Sequence, residues 1–220
     1  REVDESRTSF AAQMRQRRSA LQDETRLIAR SPVLLATAAI DGVDQATFEA
    51  AFDEIQNAFA APLLAVVDDS GHVVARRGAG LPTVDLRTLP GLDEALAGTV
   101  GDHVWATPAG LLLVALAPLV QGEELLGVLV RGIPIDGAFA AGISALSGND
   151  ALLAHDGNLL ATSWRRQQPR AWDPAPLLGL LHDLVADDGV PLALAVDGHD
   201  RPGIAVRIHP DAGIAFLAHD

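Results

Sequence analysis

The sequence predicts an α+β protein in which one long amino-terminal helix precedes two tandem modules, each built on a small antiparallel sheet. Three observations predict it. The stretch from Glu5 to Arg30 contains no Gly or Pro. A hairpin pattern occurs twice, as LLAVVDDSGHVVARR at 63–77 and ALLAHDGNLLATSW at 151–164, each an apolar run, an Asp/Gly turn and a second apolar run. The elements after each hairpin also repeat, as a helix followed by three strands. Asp-Gly turns between apolar strands are common by themselves, so the shared order carries more weight than the hairpin match.

In the first helix Met14, Leu21, Ile28 and Leu35 recur every seven residues, which keeps a narrow apolar stripe on one face. At about 1.5 Å per residue the helix would reach about 40 Å, longer than one small module. Each aliphatic side chain gains about 1.5 to 3 kcal/mol on burial, so the stripe needs a cover. The sheet modules supply part of it, and the seven-residue period suggests a second copy of the helix for the rest, a parallel homodimer.

SPVLLATAAIDG follows, with Ser31 placed to cap a short helix that has Pro32 at its first position. DQATFEAAFDEIQNAFAAP then sets Phe48, Phe52, Ile55 and Phe59 at helical spacing. After Pro62 come the first hairpin, a Pro/Gly-bounded loop at 78–90 and a short helix GLDEALAG ending on Gly98. Three strands follow, GDHVWATP, GLLLVALAPLV and ELLGVLVRGIPI, the last two joined across Gln121-Gly122. DGAFAAGISALSG reads as a connecting helix stopped at Gly148. After the second hairpin come a helix in PAPLLGLLHDLVADDG and the strands VPLALAVDG, PGIAVRIHP and AGIAFLAHD. The expected divisions are 1–35 for the long helix, 36–136 for the first module and 137–220 for the second.

Composition narrows the function. With 220 residues, 49% of them hydrophobic, the chain can bury a sizeable core. A net charge of −13, with no Lys/Arg-rich patch, opposes nucleic acid and anionic lipid as partners. Cysteine is absent, which removes disulfides and thiolate metal sites and leaves the redox compartment open. No apolar run reaches the roughly 18 residues of a membrane span, and a first residue Arg1 in place of Met reads as an excised or processed chain.

The long helix, LLAVVDDSGHVVARR, LAPLVQGEELLGVLVRG and LSGNDALLAHDGNLLATS together resemble the double Cache sensor domains, paired PAS-like modules of bacterial sensor kinases, chemoreceptors and cyclic-dinucleotide signalling proteins. The resemblance covers essentially the whole chain and rests on strand and turn patterns. It implies an extracytoplasmic, periplasmic region of an inner-membrane receptor, flanked by transmembrane helices and dimeric in the full-length protein. The membrane-distal module (36–136) would hold a small molecule and the membrane-proximal one (137–220) would follow it. The parent would be a sensor histidine kinase foremost, with a chemoreceptor or cyclic-dinucleotide enzyme as alternatives. A structural or interaction module without a ligand is the competing class.

Candidate ligand residues come from strand alternation. His103 and Trp105 fall on one face of GDHVWATP, pairing an apolar wall and its N–H donor with a group that can donate, accept or carry charge. The same alternation also fits a solvent-facing His beside a Trp that packs on a helix. Arg131 ends LLGVLV, where a buried guanidinium could clamp a carboxylate bidentately or simply reach water. Of Arg76 and Arg77, closing the first hairpin, alternation turns one inward without saying which. Arg87 in the following loop is a further candidate. Several arginines near one face of an acidic protein favour an anionic organic ligand. Amino-acid-binding members of the resembled family use a Tyr- and Arg-rich pocket; this chain has no tyrosine, so that ligand is not carried over.

His155, His182, His199, His209 and His219, with Asp156, Asp197, Asp200 and Asp211 nearby, invite a metal reading, but none shows the tight spacing that fixes metal geometry, and DGHDRPG reads as a turn. No metal and no cofactor are expected. There is no G-x-S-x-G, H-E-x-x-H, Walker or G-x-G-x-x-G motif, and Ser144 lacks a nearby base. Asp68-Asp69 and Asp187-Asp188 read as solvated turns. The region itself is expected to have no enzymatic activity.

Overall fold

The computed structural model describes residues 2–40, 42–59, 61–78, 86–107, 109–155, 158–163, 175, 190–196, 199–209 and 212–217. They fall into two compact units, one of Gln16–Pro134 and one of Arg1–Arg15 with Ile135–Asp220. The long helix is thus not a unit of its own, since its residues are divided between the two.

Helix α1 runs Glu2–Ala29, and α2 runs Pro32–Ala38. The break at Ser31 places Leu35 in α2, so the seven-residue stripe ends one step earlier than the sequence suggested. Ser31 occupies the cap position, but its hydroxyl makes no capping hydrogen bond, and Pro32 alone sets the start. In α3, Gln45–Ala58, Asp44 accepts hydrogen bonds from the backbone N–H and hydroxyl of Thr47.

The first sheet contains β1 (Leu63–Val67), β2 (Val73–Arg77), β3 (Gly101–Thr107), β4 (Gly110–Gln121) and β5 (Glu124–Ile135), in spatial order β2-β1-β5-β4-β3. A short 3-10 turn, Leu86–Thr88, and helix α4, Leu92–Leu96, lie between β2 and β3. Both faces are buried, which explains the unbroken apolar runs of β1 and β4. One face packs Leu64, Val66, Ala117 and Leu129 against Ile28, Leu34, Phe48, Phe52 and Ile55 of α1 to α3. The other packs Leu63, Ala65, Val67, Val114 and Val128 against Leu86, Leu92 and Ala95.

Helix α5, Gly137–Ser147, is capped by Asp136 and stopped by Gly148, whose φ of 73° places it in the left-handed region that favours glycine. The second sheet holds β6 (Asp150–His155), β7 (Asn158–Thr162), β8 (Val190–Val196), β9 (His199–His209) and β10 (Ala212–Leu217), in order β7-β6-β10-β9-β8. The two orders are the same once the strands are renumbered from each hairpin, and the hairpins at 63–77 and 151–164 hold equivalent places. One chain carries the hairpin twice because it builds the same sheet twice. On the second sheet, Phe216 of β10 meets Phe10 of α1 with ring centroids 5.3 Å apart.

The helix expected in PAPLLGLLHDLVADDG lies outside the described residues, as do most of the 78–90 loop and His182 and His219. Among the described residues no helix is long and apolar enough to cross a membrane, and no group of three metal-ligating side chains occurs.

Candidate functional site

Strand β3 carries two of the first module's candidate residues. The pairings His103↔Val114 and Trp105↔Leu112 place both side chains on the face covered by the 3-10 turn and α4. Trp105 is buried with only 1% of its surface exposed, and its indole N–H donates to the Pro90 carbonyl at 3.0 Å. The donor expected to greet a ligand is therefore spent on the cover: a large ring in this core needs a partner for its one polar atom, and the Pro90–Gly91 turn offers one. His103 is half-buried and lies on Gly91, where a Cβ would collide with its Cδ2 and Nε2. Gly91 has φ 93°, so both conformation and space require glycine there. The two β3 side chains together hold the start of the cover.

The cationic candidates separate. Arg76 pairs with Ala65 and Arg77 with Leu64, so Arg76 shares the His103 face while Arg77 faces the helices and forms an ion pair with Asp53 of α3. Arg76 is exposed at the edge strand, with its backbone N–H and carbonyl bound by the Gln45 amide. Arg87, also exposed, lies across the hairpin turn, where a Cβ on Gly71 would collide with its side chain. His103, Trp105, Arg76 and Arg87 thus belong to the covered face or its rim.

Arg131 does not join them. Its partner in β1 is Leu64, which places it on the helix face, opposite to His103 and Trp105. It is buried, one of the two alternatives the sequence left open, and its guanidinium meets the carboxylate of Glu24 in α1. A buried guanidinium needs an anion nearby, and this fold supplies one from its own first helix.

Sequence reasoning missed a second polar contact on that face. Asp102, next to His103 and therefore pointing the other way, accepts from Arg18 Nε and Gln22 Nε2 of α1. The signal was present: a carboxylate in a strand beside a residue assigned to one face must serve the other, and Arg18 and Gln22 are one helical turn apart. Thr25 on the same stretch is fully buried and donates its hydroxyl to the Leu21 carbonyl at 2.6 Å, satisfying itself within the helix.

The second sheet carries a buried ion pair. Arg201 Nη1 donates to Asp150 Oδ2 at 2.9 Å, and the Ser163 hydroxyl accepts from Ala151 N–H at 2.9 Å beside them. Neither residue had been singled out, because an Asp before an apolar run and an Arg before Pro-Gly both read as turn residues.

No protein-family model matches the sequence, and no curated protein matches it. Solved structures share the fold over nearly the whole chain. The periplasmic domain of Vibrio cholerae LuxQ is 14% identical with a TM-score of 0.62, covering 100% of this chain and 98% of that one. The sensor domain of the V. cholerae histidine kinase DctB is 14% identical with a TM-score of 0.58, covering 100% and 95%. The ligand-binding domain of the Campylobacter jejuni chemoreceptor Tlp3, in complex with 4-methylisoleucine, is 12% identical with a TM-score of 0.59, covering 99% and 87%. The fold is that of the double Cache sensor domains, with a long amino-terminal helix and two five-stranded antiparallel sheets.

Proposed function

We propose that this chain is the periplasmic ligand-sensing region of a bacterial transmembrane receptor, foremost a sensor histidine kinase, and that its first module binds a small anionic organic molecule. The observation that carries the reading is the double-module fold, shared along almost the full length of sensory domains of chemoreceptors and histidine kinases. The ligand class is supported by Arg76, Arg87 and His103 on or around one face of an otherwise acidic protein, where a carboxylate or phosphate would be attracted. The 4-methylisoleucine bound by Tlp3 is not taken as this chain's ligand class, because the resemblance implies a Tyr- and Arg-rich pocket for amino acids and the chain has no tyrosine. Homodimerisation in the full-length receptor rests on the fold resemblance alone, since Leu21 and Ile28 are covered by their own subunit.

A thermal-shift screen of mono- and dicarboxylates and organic phosphates tests this. A ligand at a hundredfold excess over its Kd adds about 2.7 kcal/mol, a rise of roughly 5 to 10 °C for a chain of this size. The shift should fall in His103→Ala and Arg76→Ala. A shift that persists undiminished in both variants would overturn the assignment to the first module.

A ligand-free structural module is the second reading, favoured by the dense apolar packing of Leu63, Leu86, Leu92, Trp105 and Leu116 on the covered face. It predicts no shift from any compound of the panel.

A further inference from the structure

We propose that β3 is a two-sided coupler that links the cover of the first module's site to helix α1, with Asp102 as its positioning residue. The inference deepens the sensor reading by naming how that site would be connected to the rest of the chain.

Four contacts converge on three positions of the strand, the successive Asp102 and His103 and the alternate Trp105. On the covered face, Trp105 holds the Pro90 carbonyl and His103 rests on Gly91, so the turn that begins α4 is fastened to β3. On the helix face, Asp102 holds Arg18 and Gln22. His103 and Asp102 are neighbours in an extended strand, so a displacement of one carries the other through the backbone with opposite side chains.

β3 is suited to move. It is the edge of its sheet, paired only with β4, whereas β5 lies between β1 and β4. Shifting an edge strand strains one ladder; shifting a central strand strains two. The second attachment of α1, Glu24 to the buried Arg131, is on β5. The helix is therefore held at a firm point and at a movable one, six residues apart, about 9 Å along its axis. A displacement of β3 relative to β5 pivots α1 about Glu24.

Polar clamps make this a switch between discrete states. Apolar contacts slide with gradual loss, while the Asp102 contacts, with 9% of that side chain exposed and 46% of Arg18, are either made or replaced by water. Any molecule that prefers one position of the Pro90–Gly91 turn biases α1, by no more than its differential affinity for the two arrangements.

The test needs no ligand, so failure of the screen above and failure of this coupling are separable. Amide hydrogen exchange is followed in α1 at residues 16–25 and, as a control, in α3, which has no contact to β3 side chains of this kind. Asp102→Asn should speed exchange in α1 several-fold with α3 unchanged. Gly91→Ala, which presses on His103, should alter α1 exchange in the parent and have no further effect in the Asp102→Asn background. If Gly91→Ala does not fold, His103→Ala, which releases the same contact, serves in its place with the same expectation. Equal changes in α1 and α3, or an effect of the face substitution that persists undiminished without Asp102, would overturn the coupler.

Discussion

Arg201 and Asp150 form a buried ion pair across the second sheet, with 9% and 10% of their side chains exposed. They lie on β9 and β6, the two neighbours of β10, so the pair spans the strand between them. Both share a face with Leu152, Ala205 and Ala215.

Removing one partner should destabilise the protein far more than removing both. Arg201→Met leaves the Asp150 carboxylate in an apolar surrounding and should cost about 3 to 5 kcal/mol, while the double variant Asp150→Leu, Arg201→Met should recover much of that loss. Denaturant unfolding of the four proteins measures it. Additive losses would mean that the pair is not coupled.

Trp105 offers a graded case. Trp105→Ala should cost about 3 to 5 kcal/mol through the cavity left among Leu92, Leu112 and Val114. Trp105→Phe keeps most of the packing but leaves the Pro90 carbonyl without its donor, so the loss should be smaller and the segment around Pro90 should exchange faster.

Acid should expose the cap of α3. The Thr47 hydroxyl and backbone N–H hold the Asp44 carboxyl below its ordinary pKa. A group with a lowered folded pKa contributes stability above its unfolded value and loses it as pH falls through the folded value. Asp44→Ala should therefore unfold at a lower temperature than the parent at neutral pH, and the gap should narrow in acid. A gap that stays constant to the lowest pH would assign the effect to helix propensity alone.

The stripe of α1 should behave as core. Leu21 and Ile28 are 3% and 1% exposed, Ile28 packing with Leu34 and Phe52. Leu21→Ala should lower stability by about 2 to 5 kcal/mol, and sedimentation should show the isolated chain's oligomeric state unaltered by the substitution. A change of oligomeric state with little loss of stability would restore the helix-to-helix cover that the seven-residue period suggested.

The sequence by itself determined the local and repeated features. A Gly- and Pro-free run made α1, Asp136 and Gly148 bounded α5, the turn from Asp68 to Gly71 closed the first hairpin, and repetition of the element order implied the repeated sheet, because periodicity and turn chemistry act over a few residues. It also determined that His103 and Trp105 share a face, since alternation within a strand needs no knowledge of its neighbours. Tertiary structure decided which face each strand turns to which partner. Arg131 was legible as a strand-end cation that either reaches water or, if buried, needs a carboxylate; that it is buried and that Glu24 supplies the carboxylate depended on α1 packing over the sheet's other face. Arg76 and Arg77 were indistinguishable until the register with Ala65 and Leu64 fixed them. The same holds for Asp150 and Arg201, fifty-one residues apart: a polar residue reads as a surface residue in sequence, and only the meeting of distant strands makes its burial favourable.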